Sequence, residues 1–237
     1  MRAFCLAAVL ILPAILASAT PQLKPKEQRV VLGTIHTIAV VPPFFGIPAS
    51  ALPHGKTPAE TASLQVAYKS ALHRLQSDAA QRLPARISSR LGLKLVPAPN
   101  IAAALSDEHL SARQLFLKDG EITGGAYPGL NLRLCAKLCA SLHADALVVA
   151  DFDGPQRIGG HYVFVPLQGS GYEPSHVVSR AQFNLVTARG VLVLRSNETV
   201  QHPATRIGAE QFTLPDWVEA QNLLVESFMD YWTDKLH

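Results

Sequence analysis

Two nearly continuous apolar segments constrain the fold of this chain more than any other feature. The first covers residues 30–32 and 35–41 and stops at Pro42, and the second covers residues 145–150. Apolar runs without polar alternation are typical of strands that are buried on both faces of a sheet. Parallel strands of one sheet need a crossover connection, which is usually a helix. The stretch between the two segments should therefore contain helices that pack on the sheet.

The clearest helix signals follow the first apolar segment. Thr57, Pro58 and Glu60 provide an N-cap, a proline at the first helical position and a capping-box glutamate. Apolar residues then recur at spacings of three and four over residues 64–83, which predicts one apolar helix face. Pro84 predicts a kink or break. The further elements predicted are a helical piece over 85–91 ending at Gly92, a strand over 93–96, and helices over 100–105, 111–118 and 132–143.

Beyond residue 161 the hydrophobic period changes to two. Apolar residues alternate with Arg180, Gln182 and Asn184, which predicts a strand with one solvent-exposed face. A turn over 187–190 and a returning strand complete an antiparallel hairpin, and residues 214–236 have the pattern of a long amphipathic helix. The expected fold class is therefore α/β (mixed α+β). It combines two or three layers, a mixed sheet with parallel βαβ units, a C-terminal antiparallel hairpin and a closing helix.

Composition narrows the class of protein. Hydrophobic residues make up 48% of the 237 residues, and 21 Lys and Arg face 18 Asp and Glu for a net charge of +3. This composition is globular and excludes disorder or coiled coil as the main structure. The charge is nearly balanced, so nucleic acid is not an expected partner. No phosphate-loop or dinucleotide motif occurs, and no cofactor is expected.

The first residues have the pattern of an export signal. Met1 and Arg2 precede an apolar run over residues 3–16, and Ala17, Ser18 and Ala19 give the small-x-small spacing of a cleavage site. The expected organisation is a signal peptide over 1–19, a leader and the start of the first strand over 20–33, and a single domain over 34–237. After cleavage the chain would be periplasmic or secreted, with no transmembrane segment.

Cys135, Cys139 and His143 are the candidate metal ligands. They are spaced four apart, so one helix face would present two sulfurs and an imidazole to Zn or Cu. The same face carries Leu138 and Leu142, and packing of both cysteines in the core is the favoured interpretation. His143 is expected to end the helix.

The candidate binding residues come from three places in the chain. Asp151 and Asp153 follow the second apolar segment, at the edge where open α/β sheets bind ligands. The loops over 42–56 and 154–175 and the outer edge of the last helix are the other expected contact regions. The predicted contact residues are Phe44, Phe45, Asp151, Asp153, Met229 and Trp232. No catalytic residue is assigned.

A row of arginines offers a further surface. Arg82, Arg86 and Arg90 recur every four residues, one turn after Asp78. The favoured interpretation is a solvated helix face. The alternative is peripheral contact with lipid phosphates or an acidic partner.

Three segments together resemble a known group of envelope domains. They are an opening strand that runs into a Pro-Phe pair (37–44), a strand that begins with small-Asp-Ala (142–152), and a strand that leads into a Thr-x-x-Gly turn at Thr187 (181–192). In this order they resemble the periplasmic α/β domains of the curli-secretion protein CsgG, the penicillin-binding-protein activator LpoB and the N-terminal domain of TolB. The resemblance implies a non-enzymatic module that binds proteins or assembles into a complex. The chain differs from that group by lacking a lipobox cysteine and membrane-spanning hairpins, and by its long loop over 44–56.

The sequence thus favours an exported, non-catalytic binding or assembly module of the bacterial cell envelope, with another envelope protein as its partner. One alternative is an envelope hydrolase with a site near Asp151 and Asp153. The other is a metal- or thiol-binding protein that uses Cys135, Cys139 and His143. These alternatives differ in which side chains must be accessible.

Export should remove the first nineteen residues, because the apolar run is short and ends in Ala17, Ser18 and Ala19. The intact mass of protein recovered from the periplasm is expected to correspond to a chain that begins at Thr20. A mass that retains Met1 to Ala19 would contradict cleavage.

Overall fold

The computed structural model describes residues 23–46, 55–117, 129–158, 161–165, 169–173, 176–203 and 214–237. The helices are α1 (Pro25–Leu32), α2 (Pro58–Leu91), α3 (Ala98–Asp107), α4 (Leu132–Ser141) and α5 (Leu214–Leu236), with a 3-10 turn over Ala112–Leu115. The strands are β1 (Thr37–Val40), β2 (Phe44–Gly46), β3 (Lys94–Leu95), β4 (Ala146–Asp153), β5 (Gln156–Ile158), β6 (His161–Val165), β7 (Gly169–Glu173), β8 (His176–Thr187) and β9 (Leu192–Pro203). The signal peptide and residues 47–54 of the predicted contact loop lie outside the described residues.

Seven of the described strands form one mixed sheet. β1 lies parallel to both β3 and β4, and β2 pairs in parallel with the second half of β4. One edge of β8 pairs in antiparallel fashion with β4 and then with β5. The other edge of β8 pairs in antiparallel fashion with β9. β6 and β7 form a separate two-stranded antiparallel sheet. The predicted mixed α/β class and the C-terminal hairpin are confirmed.

Helices cover both faces of the main sheet, which makes three layers. Ile38, Val148 and Phe183 pack in one core with residues of α1, α2 and α5. Ala39, Leu147 and Val149 point to the opposite core, which α3, the 3-10 turn and α4 close. Alternate residues of β1 and β4 thus enter different cores. No helix within the described ranges is both long and apolar enough to cross a membrane.

One local prediction about the first helices is wrong, and of the kink or break predicted at Pro84 the break does not occur. Residues 25–32 form α1 and are not the start of the first strand, because Pro25 opens a helical turn and the Glu27 carboxylate accepts a hydrogen bond from the Lys24 N–H at 3.0 Å. Pro84 does not break α2, which continues for 34 residues. Leu83 and Ile87 on either side of the proline are fully buried. Their burial offsets the roughly 3 kcal/mol that a proline costs inside a helix.

The boundaries of α2 follow the predicted signals. The Thr57 side chain accepts a hydrogen bond from the Glu60 N–H at 3.1 Å. Gly92 ends the helix with a φ of 65°, a left-handed conformation that suits glycine. His143 adopts a φ of 50° just after α4, which confirms that it lies at the end of that helix.

The arginine row of α2 connects two helices. Arg86 Nε lies 2.8 Å from Glu226 Oε1, and Arg90 Nη2 lies 2.8 Å from Asp230 Oδ1 on α5. Arg82 pairs with Asp78 and donates to the Asn222 side chain. The three arginines are exposed and the carboxylates are exposed or half-buried, so each pair stabilises the fold only slightly. The row is neither a purely solvated face nor an unpaired surface for lipid phosphates.

Asp145 fixes the starts of the two central parallel strands. Its Oδ2 accepts hydrogen bonds from the N–H groups of His36 and Thr37 at 2.9 and 2.7 Å. Its own N–H donates to Thr37 O, and its carbonyl accepts from the Ala188 N–H after β8. These backbone donors stabilise the carboxylate and lower the pKa of Asp145 below its ordinary value. The aspartate of the small-Asp-Ala segment therefore has a structural role.

Replacing Asp145 with Ala should lower the free energy of unfolding at neutral pH by about 1–2 kcal/mol, because two backbone donors lose a charged acceptor. Because the folded pKa is lowered, this contribution is present above the ordinary Asp pKa of about 3.9 and is lost as the pH falls through the folded pKa. Urea denaturation across this range measures the difference. Asp145→Asn, which keeps a neutral acceptor, is the control, and a pH-independent difference would contradict the assignment.

Candidate functional site

The structure brings four of the predicted contact residues to one edge of the sheet. β2 pairs with the end of β4 so that Phe44 lies opposite Asp151, Phe45 opposite Phe152 and Gly46 opposite Asp153. This is the carboxyl end of the parallel strands, where open α/β sheets commonly bind ligands. We call Phe44, Phe45, Asp151, Asp153 and the neighbouring Arg180 the β4 end surface.

The two phenylalanines are held in different environments. The Phe45 ring stacks on Phe152 with centroids 5.1 Å apart and planes at 9°. Phe44 points to the opposite sheet face, where its ring lies 6.5 Å from Phe116 and the Arg113 guanidinium sits 5.6 Å above it. Both rings remain half-buried. Gln76 of α2 donates a hydrogen bond from its side-chain amide to Pro43 O at 3.1 Å, directly before β2.

The two aspartates differ in accessibility. Asp151 is only 6% exposed, whereas Asp153, at the end of β4, is half-buried. Burial raises the pKa of Asp153, and the positive charge of Arg180 opposes that shift. The accessible carboxyl of the pair is therefore the one at position 153, beside an exposed arginine.

Polar residues of β8, which the sequence pattern predicted to be solvent-exposed, extend the site across the sheet. Gln182 is 2% exposed and Asn184 is fully buried, so the prediction of a solvent-exposed face holds for Arg180 but is wrong for these two. Asn184 Nδ2 donates to Val149 O at 3.4 Å, and Arg195 Nε on β9 donates to Asn184 Oδ1 at 3.2 Å. Sequence reasoning missed Arg195, although its position opposite Asn184 follows from the hairpin register.

The candidate metal ligands are not brought together. Cys135 and Cys139 are fully buried and carry free thiols, while His143 is exposed beyond the end of α4. Burial raises the pKa of each thiol to about 12, so neither forms the thiolate that metal binding requires at neutral pH. Across the described ranges, no group of three or more His, Cys, Asp and Glu side chains could hold a metal ion. The favoured core interpretation of both cysteines agrees with their burial.

Met229 and Trp232 do not form an outer edge of α5. They are 0% and 1% exposed, because α5 packs one broad face on the sheet and its flank against α1 and α2. Their placement at a partner surface is therefore wrong. Trp232 lines a cavity of about 390 Å³ between the ends of α1, α2 and α5, where β1 begins and opposite the β4 end surface.

Replacing Asp153 with Asn should raise the free energy of unfolding at neutral pH, because it removes a charge whose burial is unfavourable. The folded pKa is raised, so the destabilisation develops as the pH rises from the ordinary Asp pKa of about 3.9 through the folded value. The stabilisation by Asn should therefore vanish in acid. Asp145→Asn is the matched substitution of an aspartate with a lowered pKa, and an equal gain from both would contradict this assignment.

No family model matches the sequence, and no curated protein matches it. Similar solved structures include the lipoprotein GNA1162 from Neisseria meningitidis, 13% identical over 84% of this chain and 99% of that chain, with a TM-score of 0.37. The LpoB C-terminal domain from Salmonella enterica is 10% identical over 73% of this chain and 93% of that chain, with a TM-score of 0.33. A neuraminyllactose-binding hemagglutinin homolog from Helicobacter pylori is 11% identical over 86% of this chain and 87% of that chain, with a TM-score of 0.41.

Proposed function

We propose that this protein is an exported, periplasmic and non-catalytic binding module of the bacterial cell envelope, which contacts another envelope protein through the β4 end surface. A signal peptide over 1–19 and a single domain form part of this proposal; the domain includes α1, which packs in the main core, and does not begin at residue 34 as the sequence predicted. The observation that carries it is the pairing of β2 with β4, which places the half-buried Phe44 on the same sheet face as Asp153 and the exposed Arg180, with Phe45 on the other face of the same edge. Aromatic and arginine side chains are enriched in protein interfaces.

Binding is favoured over hydrolysis by the unequal burial of the two aspartates. A glycoside hydrolase that uses paired carboxylates needs both of them within reach of the glycosidic bond. Asp151 is 6% exposed, which leaves Asp153 as the accessible carboxyl. The metal or thiol alternative is disfavoured because both cysteines are fully buried. The resemblance of three sequence segments to the CsgG, LpoB and TolB domains implies the same kind of role.

Site-specific photo-cross-linking in the periplasm tests this proposal. A benzoylphenylalanine at position 180 lies on the β4 end surface, and the same residue at position 69 lies on an exposed part of α2 and serves as the matched control. We expect a discrete protein adduct from position 180 and none from position 69. The adduct should diminish when Phe44→Ala is added, since that change removes the neighbouring aromatic contact.

Each variant is expected to give the wild-type circular dichroism spectrum, so that differences in cross-linking report on the surface and not on unfolding. Equal adducts from both positions, or no adduct from position 180, would overturn the assignment of the β4 end surface as the binding region.

A further inference from the structure

Arg195 is a half-buried cation with little to neutralise it. Its Nε donates to the neutral Asn184 side chain at 3.2 Å. Among the residues that the structure describes, no carboxylate lies within ion-pair distance of its guanidinium, and neither Nη group makes a hydrogen bond. Burial lowers the pKa of Arg195. A charged group removed from water in this way is costly unless a partner compensates it.

The other arginines on paired helices show the contrast. Arg82, Arg86 and Arg90 are exposed, yet each has a carboxylate partner at 2.8 Å. Of these four arginines, Arg195 is the most buried and has no carboxylate partner among the described residues. A buried charge without a partner costs more than an exposed one, so stability alone does not favour the position of Arg195.

Asn184 determines which part of the guanidinium stays available. Its Nδ2 donates to Val149 O, so its Oδ1 faces Arg195, and full burial holds the amide in place. Nε is then occupied, and the Nη1 and Nη2 groups present the planar edge that binds a carboxylate through two parallel hydrogen bonds. Asn184 is thus a positioning residue for Arg195.

The side chains beside Arg195 on its sheet face are polar, and those that follow it along β9 are exposed. Asn197 and Thr199 follow it on the same sheet face and are exposed. Gln182, opposite Asn197, is 2% exposed, and its Oε1 has no hydrogen-bond partner within the described part of the chain. A buried polar atom without a partner often indicates a missing water or ligand. The acidic residues of this face lie on β4, two strands and about 10 Å from β9.

We propose that Arg195 is the anchor for a carboxylate of the protein partner, supplied by an acidic side chain or a C-terminus. The planar guanidinium edge, positioned by Asn184 and flanked by Asn197 and Thr199, binds this group bidentately. The inference rests on the proposed binding function and names the chemistry of the partner. It extends the β4 end surface along β8 to β9.

NMR titration of the whole mature protein tests the carboxylate site without the natural partner. The probes are acetyl-aspartate N-methylamide, its neutral counterpart acetyl-asparagine N-methylamide, acetyl-alanine with a free carboxyl group, and inorganic phosphate. Binding is followed at the Arg195 Nε–Hε signal and at the backbone amides of Asn197 and Thr199. We expect saturable shifts with a carboxylate probe and at least about tenfold weaker binding of the asparagine probe.

Three variants make the test specific. Arg195→Met should weaken binding of the aspartate probe about tenfold or more at the Asn197 and Thr199 amides, whereas Arg189→Met, which removes an exposed charge in the β8–β9 turn, should leave it unchanged. Asn197→Asp, at an exposed position, supplies a carboxylate beside Arg195 and should also weaken binding. Arg195→Met and Asn197→Asp should both fold, because one removes a desolvated charge and the other changes an exposed side chain.

Each outcome supports or overturns the inference. Preference for acetyl-alanine over acetyl-aspartate N-methylamide would identify a C-terminus as the source, and the reverse would identify an acidic side chain. Absence of binding, shifts with phosphate alone, or equal weakening by Arg189→Met would overturn it. Carboxylate binding without a cross-link from position 180 would contradict only the proposed function, whereas a cross-link without carboxylate binding would contradict only this inference.

Discussion

The fold depends on β4, a strand buried on both faces. Residues from Ala146 to Phe152 are almost completely excluded from solvent, and alternate side chains enter two different cores. A strand of this kind needs helices above and below the sheet and a neighbouring strand on each side. β1 and β2 satisfy the parallel side and β8 the antiparallel side. The mixed sheet and its three layers follow from this one requirement.

Asp145 sets the position of that strand relative to its neighbour. Backbone donors from His36 and Thr37 converge on one carboxylate oxygen, and backbone bonds connect the same residue to Thr37 O and Ala188. A one-residue shift between β1 and β4 would reverse the faces of their side chains and break these bonds. This register does not continue unchanged to the end of β4: β1 pairs Val40 with Val148, whereas β2 pairs Phe44 with Asp151, which is a shift of one residue. The shift places Phe44, and not Phe45, on the sheet face of Asp151, so the site geometry depends on the pairing of β2 itself.

Sequence pattern was sufficient where a single periodic signal decided the structure. The bounds of α5 and the caps of α2 follow directly from apolar spacing, Thr57 and Gly92. It failed where a choice depended on contacts distant in sequence. Residues 30–32 resemble a strand, but only Leu32 of them is buried, and Gln28 one turn earlier donates to Val193 O on β9. Trp232 and Met229 lie in the core because α1 and α2 cover the flank of α5, which helical periodicity does not reveal.

The polar side of β8 shows why the candidate site was only partly predictable. Alternation of Gln182 and Asn184 with apolar residues is also typical of an edge strand with a solvated face. β8 is instead flanked by β4 and β9, so the same alternation buries amides within the sheet. A buried amide must find hydrogen-bond partners, and Asn184 does so by joining Val149 O to Arg195. This hydrogen bond holds Arg195 in a half-buried position. Among the described residues, no carboxylate lies close enough to form an ion pair with it. The charge that is unfavourable for the isolated fold is then the feature that a partner can neutralise, which connects the stability of this sheet face to its capacity for binding.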